Sequence, residues 1–265
     1  MKKETGSPGA GKYPSVRQAT DEQRIGMVKE IFATVTGRYD FLNHLLSLRR
    51  DIAWRRFTVR KMRFFKSNRL LDVATGTGDL AIDAARRRSS VSITGLDFVG
   101  EMLRSGHAKI VGKGLSDRVS LVQGDALCLP FPDDAFDVSS IAFGIRNIPD
   151  RSAALREMLR VVVPGGQVLV LEMTFIRNWF TTLLYQTYLN RILPVVAKRF
   201  SLNPRAYYYL ADSIMNFPSP SQFVRLMEEA GMVDVRKYKL TMGITYLYVG
   251  SKPESVSQGT GGESR

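Results

Sequence analysis

Short apolar segments rich in β-branched residues alternate with segments of helical apolar spacing from residue 69 onward, and this alternation strongly constrains the fold. Strands joined by helices need parallel crossovers, so the pattern predicts an α/β fold with a doubly wound, mostly parallel sheet. Two strands that follow each other directly at the end predict an antiparallel last strand. The predicted strands are Leu70–Ala74, Val91–Leu96, Ser120–Gln123, Asp137–Ala142, Gln167–Glu172, Val233–Tyr238 and Thr245–Val249, and the predicted helices are Leu80–Arg88, Glu101–Lys113, Arg151–Val161 and Pro220–Ala230.

The segments that flank and interrupt this alternation predict one domain over residues 21–251. Residues 1–20 and 252–265 are rich in Gly, Ser and other polar residues, which is typical of disordered tails. Apolar residues at helical spacing within 21–66 predict an N-terminal helical cap, with its second helix over Asp51–Phe65. Residues 173–217 predict a helical insertion before the last strands.

Composition narrows the function classes. One cysteine, Cys128, and two histidines exclude a disulfide framework and make a Cys- or His-rich metal site unexpected, so no metal is predicted. The net charge of +13 indicates an anionic partner, which leaves nucleic acid, an acidic membrane surface and a phosphorylated ligand open. The sequence has no apolar run long enough for a transmembrane helix. Its basic N-terminus is not followed by the apolar run of a secretory signal, so we expect a cytoplasmic protein.

A glycine-rich turn joins the first predicted strand to its helix. Asp72 lies in that strand, and Gly76 and Gly78 in the turn allow the backbone to approach a ligand closely. The second strand ends at Asp97, where a carboxylate can accept both hydroxyls of a ribose. This spacing fits a nicotinamide dinucleotide and S-adenosylmethionine equally well, and a plain strand–helix turn is the alternative without a ligand.

Three later features favour the methyl donor. Gly124-Asp125-Ala126 follows the third strand, where the Asp side chain can reach an adenine amino group. The fourth strand ends at 142–144, and a Pro-Gly-Gly turn at 164–166 precedes the fifth. Together they indicate a class I methyltransferase. The basic charge keeps an RNA-directed methyltransferase as an alternative. The fourth strand lacks a following Pro-Pro pair, however, and no RNA-binding motif appears, so the partner prediction contains no nucleic acid.

The chain resembles the ubiquinone/menaquinone biosynthesis C-methyltransferases (UbiE type) from about Val28 to Val249. The resemblance includes Trp54-Arg55-Arg56, and its most specific blocks are Tyr39-Asp40-x-x-Asn43 and Phe143-Gly144-Ile145-Arg146-Asn147. The resemblance implies transfer of a methyl group from S-adenosylmethionine to a ring carbon of a prenylated quinol. The implied product is menaquinol from demethylmenaquinol, with the benzoquinol step of ubiquinone synthesis also open.

Candidate site residues combine the glycine turn with the family's positions. The cofactor-binding candidates are Asp72, Gly76, Thr77, Gly78, Asp97, Asp125, Ala126 and Ala142; many relatives carry Ser in place of Ala142.

The catalytic candidates have separate roles. Arg146 is expected to stabilise phenolate charge, Asn147 and Tyr39 to orient the quinol oxygen, and Asp40 to act as base. The structural alternatives are an Arg146–Asp150 ion pair and a core position for Tyr39.

Two basic and aromatic stretches indicate an anionic membrane surface as partner. Arg49–Arg69 reads as a basic amphipathic helix for lipid, or alternatively as a solvated helix that packs its aromatics on the sheet. Residues 176–200 predict an apolar cover for a polyprenyl tail, or a buried helix pair. Two alternative functions are left open: a membrane-surface scaffold without activity, and an oxidoreductase that uses a nicotinamide dinucleotide. A homodimer is also left open.

Overall fold

Seven strands form one sheet in the order β3-β2-β1-β4-β5-β7-β6 in the computed structural model, which describes residues 20–35, 44, 47–175 and 204–254. Strands β1 to β5 run parallel to one another, and β7 lies antiparallel between β5 and β6. The predicted fold, a mostly parallel sheet with an antiparallel last strand, is confirmed. The strands are β1 Arg69–Val73, β2 Ser92–Asp97, β3 Val119–Gln123, β4 Phe136–Ala142, β5 Val162–Met173, β6 Val233–Leu240 and β7 Thr245–Ser251.

Helices cover both faces of this sheet. Apolar side chains of α2, α3 and α4 pack on one face, and those of α5 and α7 pack on the other. Each large apolar side chain buried in this way contributes roughly 1.5–3 kcal/mol. The helices are α1 Asp21–Val35, α2 Arg50–Lys61, α3 Asp79–Arg87, α4 Gly100–Val111, α5 Arg151–Arg160, α6 Pro204–Met215 and α7 Pro220–Glu229, with short 3-10 turns at Ile145–Asn147 and Thr241–Gly243.

Helix α2 ends at Lys61, four residues before the predicted end at Phe65. The backbone N–H of Arg63 donates to the side chain of Gln167, and those of residues 66–68 donate to the carboxylate of Asp137. These bonds to two sheet residues replace helical bonds, so the chain leaves the helix to meet β4 and β5.

The predicted tails and insertion lie mainly outside the described residues, and their boundaries stay predictions. At the C-terminal end, Lys252 is still held in place: its backbone N–H donates to Gly166 and its ammonium group lies 2.7 Å from Asp134. In the described part of the chain, the helices are too short or too polar to cross a bilayer.

Candidate active site

A cavity opens at the carboxyl ends of the parallel strands, where the strand order reverses between β1 and β4. Such a reversal leaves a crevice in which ligands of doubly wound sheets bind. The wall is mostly apolar and includes two carboxylates and one amide. It is formed by Ile25, Val28, Ala74, Gly76, Leu96, Asp97, Phe98, Val99, Met102, Gly124, Asp125, Ala126, Leu127, Ala142, Phe143, Gly144, Asn147, Ile148 and Pro149.

Asp97 and Asp125 are the two carboxylates in this wall. Asp97 accepts the backbone N–H of Gly76 at 2.7 Å and that of Val99 at 2.9 Å, so it links the glycine turn to the end of β2. Burial raises the pKa of Asp97 above its ordinary value, although these N–H groups favour the charged form. Asp125 accepts the backbone N–H of Leu127 at 2.9 Å. The predicted neighbours Ala126 and Ala142 also line the cavity.

The other cofactor-binding candidates of β1 and the glycine turn lie behind the cavity wall. Gly78 begins α3 with φ +80°, a conformation that residues with a Cβ rarely adopt. The hydroxyl of Thr77 accepts a hydrogen bond from Lys109 at 3.1 Å. Asp72 accepts the hydroxyls of Thr75 at 2.7 Å and Ser140 at 3.1 Å. In the described part of the chain, none of these three residues lines the cavity, and their cofactor contacts stay predictions.

Asn147 enters the cavity wall from the 3-10 turn after β4. Its amide oxygen accepts the hydroxyl of Tyr209 of α6 at 3.2 Å, which fixes the direction of the amide. The turn comes close to β1: a Cβ on Gly144 would lie 2.6 Å from that of Ala74, so only glycine fits there. Asn147 therefore lines the cavity, and its predicted role in orienting the quinol oxygen stays a prediction.

Arg146 is buried and is not among the residues that line the described cavity. Its guanidinium pairs with Glu172 at 2.6 Å and donates to the carbonyl of Phe143 at the same distance. Glu172 also accepts the backbone N–H groups of Arg146 and Met173. The alternative partner, Asp150, instead caps α5 by accepting from Ala153. The predicted contact of Arg146 with a phenolate stays a prediction, and the geometry favours a role in fixing the turn that presents Asn147.

Sequence reasoning missed two contributors. Glu172 is the penultimate residue of β5, and a lone carboxylate near the end of a buried strand was the available signal. Tyr209 lies in the insertion, and its contact with Asn147 spans 62 positions of sequence, which no local pattern reveals. Tyr39 and Asp40, the remaining catalytic candidates, lie outside the described residues.

The fold and the cavity together define a class. The sheet places β7 antiparallel between β5 and β6, a glycine turn follows β1, and acids follow β2 and β3 in one cavity. The two carboxylates suit the ribose hydroxyls and the adenine amino group, and the apolar wall suits the rest of the donor. The protein is a class I methyltransferase that uses S-adenosylmethionine.

The chain belongs to the ubiE/COQ5 methyltransferase family, whose model matches residues 17–252. It is 46% identical over 226 residues to the ubiquinone/menaquinone biosynthesis C-methyltransferase UbiE of Geotalea daltonii, covering 85% of this chain and 96% of that protein. It is 40% identical to the demethylmenaquinone methyltransferase of Deinococcus radiodurans, covering 88% and 95%.

A similar fold occurs in a solved structure, the complex between the Haloferax volcanii Trm112 methyltransferase activator and a methyltransferase. The TM-score is 0.61 at 18% identity, over 84% of this chain and 98% of that chain. The similarity concerns the fold alone. The family and the fold leave the alternatives of a nicotinamide-dependent oxidoreductase and an RNA-directed enzyme without support.

Proposed function

We propose that this enzyme methylates a ring carbon of a prenylated quinol, converting demethylmenaquinol to menaquinol. The observation that carries the proposal is the composition of the cavity: beyond its two carboxylates, the wall is apolar and carries one amide, Asn147. A flat aromatic diol fits such a wall better than a charged or strongly polar acceptor. The names of the relatives from Geotalea and Deinococcus support the same reaction.

The proposed chemistry needs an electron-rich carbon. Bound S-adenosylmethionine supplies an electrophilic methyl group. A quinol that loses its O–H proton to a base becomes a phenolate whose neighbouring ring carbon is nucleophilic. Attack of that carbon on the methyl group would release S-adenosylhomocysteine, and loss of the ring proton from that carbon and return of a proton to the oxygen would restore the aromatic quinol. We expect the amide N–H of Asn147, whose oxygen accepts from Tyr209, to hold the quinol oxygen, and we expect the apolar wall to exclude water. Holding both reactants in register can lower the barrier by roughly 7–11 kcal/mol.

A direct assay tests this proposal. Purified enzyme is incubated with S-adenosylmethionine labelled on its methyl group and with a short-chain demethylmenaquinol, a short-chain demethylated benzoquinol or total RNA in parallel. Label is expected in the lipid extract of the naphthoquinol sample, and label in the benzoquinol sample would add the ubiquinone step. Incorporation into RNA alone would contradict the proposal.

The substrate's polyprenyl tail places it in a bilayer, and we propose that the enzyme collects it at an anionic membrane surface on the cytoplasmic side. Helix α2 turns Trp54 and Val59 into the core, so its apolar side does not face lipid. Two other apolar side chains do face solvent: Leu48 and Met242 are each 81% exposed. The indole N–H of Trp54 donates to Thr241 at 2.8 Å, which joins the two segments that carry them.

Basic residues complement these two apolar side chains. Arg49 and Arg50 follow Leu48 directly and are exposed, and Lys239 is exposed shortly before Met242. A basic side chain near an anionic surface contributes about 1 kcal/mol, and an inserted Leu or Met adds apolar burial. These turns are therefore the proposed points of membrane contact, while a homodimer is a separate, open proposal.

Vesicle binding tests the membrane contact. The double variant Leu48→Ser with Met242→Ser is expected to bind phosphatidylglycerol-containing vesicles about tenfold more weakly in a co-sedimentation assay. Full burial of each apolar side chain contributes roughly 1.5–3 kcal/mol, and the variant loses part of this free energy of membrane binding. Val111→Ser, another exposed apolar residue (53%), on α4, is the control. Raising the salt concentration is expected to release the wild type. Binding that persists in high salt and in the double variant would exclude this surface.

A further inference from the structure

A network of charged side chains runs behind the cavity from the N-terminal cap. Its first centre is Asp51 on α2, which is 3% exposed. The carboxylate of Asp51 accepts from Nδ1 of His44 at 2.8 Å, from the hydroxyl of Ser47 at 2.6 Å and from the guanidinium of Arg55 at 2.5 Å. Burial opposes its charge, but the Ser47 hydroxyl and the Arg55 guanidinium lower the pKa of Asp51 below its ordinary value.

Arg55 carries the network to the catalytic side. Its guanidinium lies 3.5 Å from Asp79 in the first turn of α3 and 5.6 Å from the ring centre of Phe143. Asp79 in turn pairs with Lys109 at 2.5 Å, and Lys109 donates to Thr77 of the glycine turn. Arg55 therefore contacts both the helix that begins at the glycine turn and an aromatic residue of the cavity wall.

A metal ion is not the better interpretation of these residues. Ligand atoms of His44, Asp51 and Asp79 lie within 4.8 Å of one another, which is close enough for a shared cation. The guanidinium of Arg55 lies against both carboxylates, so it already supplies the cation of this cluster.

We infer that Arg55 is a positioning residue for methyl transfer: held by Asp51 and His44, it supports Phe143 and the first turn of α3. Arg55 is not among the residues that line the described cavity, so it acts through its neighbours. His44 directly follows the block Tyr39–Asn43 in the sequence, and the network links His44 to the glycine turn. The inference rests on the proposed function for its rate measurement.

The position of Phe143 explains why support is needed. Its backbone has φ +59°, which is unfavourable for an aromatic residue and persists only where the surroundings hold it. Its N–H donates to the carbonyl of Leu171 at 2.8 Å, and the Trp54 ring lies 6.0 Å away. A planar guanidinium can contact a ring and two carboxylates together, whereas a lysine ammonium at this position cannot.

Arg55→Lys and Asp51→Asn test the inference. With both substrates saturating, kcat is expected to fall about tenfold in each variant, because small displacements of the reacting groups are costly. The Kd for S-adenosylmethionine is expected to change less than about threefold, because Asp97 and Asp125 are untouched. Asp83→Asn is the control, since Asp83 and Arg87 form a similar i,i+4 pair on the more exposed side of α3.

His44 provides the conservative comparison. His44→Asn keeps an N–H at the position of Nδ1 and is expected to retain most of the wild-type rate, whereas His44→Ala is expected to resemble Asp51→Asn. A merely structural role would lower the Tm of all these variants equally and leave kcat per folded enzyme unchanged.

Amide exchange separates this inference from the proposed function. The N–H of Phe143 is expected to exchange about tenfold faster in Arg55→Lys and Asp51→Asn than in the wild type or Asp83→Asn, since the wall loosens. Unchanged exchange would overturn the inference whatever the methyl acceptor is, as would faster exchange with an unaltered kcat. Absence of wild-type turnover with the quinol would overturn the proposed function, and the exchange result would still decide the role of Arg55.

Discussion

Replacing Asp97 with asparagine is expected to weaken S-adenosylmethionine binding about 100-fold. The carboxylate lies in the cavity wall at the end of β2, where it can accept two hydroxyls of a ribose. Charge-assisted hydrogen bonds contribute about 1.5–3 kcal/mol each, and 1.4 kcal/mol corresponds to tenfold in affinity. The asparagine keeps the size of the side chain but replaces one acceptor oxygen by an N–H₂ group. Isothermal titration calorimetry measures the change.

Glu101→Gln is the matched control for this variant. Glu101 lies in the first turn of α4, four positions from Asp97, and pairs with Arg104 at the surface. The substitution Glu101→Gln removes one negative charge from the same region without touching the cavity wall. Equal weakening by both substitutions would show a general charge effect, and the placement of the ribose against Asp97 would then be wrong. A melting curve of each variant shows whether the loss of the Gly76 and Val99 contacts alters folding.

The strands and helices around the glycine turn could be predicted within a few residues because their signals are local. Strand β1 buries Leu70, Leu71 and Val73, and the glycine turn and the apolar periodicity of α3 follow it at once. Since parallel strands end at one edge of a sheet, the sequence also predicts that Asp97 and Asp125 meet in one cavity. The end of α2 could not be predicted in this way, because it depends on hydrogen bonds to Asp137 and Gln167, 70 and more positions away.

Side-chain direction was the part of the site that the sequence did not reveal. Thr77 and Arg146 stand in the expected motifs, but each turns toward a partner from a remote element, Lys109 and Glu172. The pairing with Glu172 fixes the 3-10 turn, so it decides which of two adjacent polar residues reaches the cavity. Asn147 does, and Arg146 does not. A motif therefore locates the turn, while distant contacts select the residue that can touch a substrate.

Asp72 is expected to make the stability of the protein depend on pH between about 4 and about 7. Burial raises its pKa from 3.8 to about 7, and the hydroxyls of Thr75 and Ser140 only partly offset this. Because the folded protein keeps a proton there that the unfolded chain releases, the free energy of unfolding falls as the pH rises through this range and is constant above it. At 1.36 kcal/mol per pKa unit, the full decrease is roughly 4 kcal/mol.

Asp72→Asn isolates this contribution, because asparagine imitates the neutral acid and does not titrate. Urea unfolding at pH 4, 5, 6 and 8 is expected to show the variant close to the wild type at pH 4, more stable by roughly 1.6 kcal/mol at pH 5 and more stable by roughly 4 kcal/mol at pH 8. Asp83→Asn, which removes a carboxylate from the more exposed side of α3, is the control. A constant difference between wild type and Asp72→Asn across the series would mean that Asp72 is charged in the folded protein throughout. In that case the contacts of its carboxylate with Thr75 and Ser140, rather than burial, would govern its protonation behind the glycine turn.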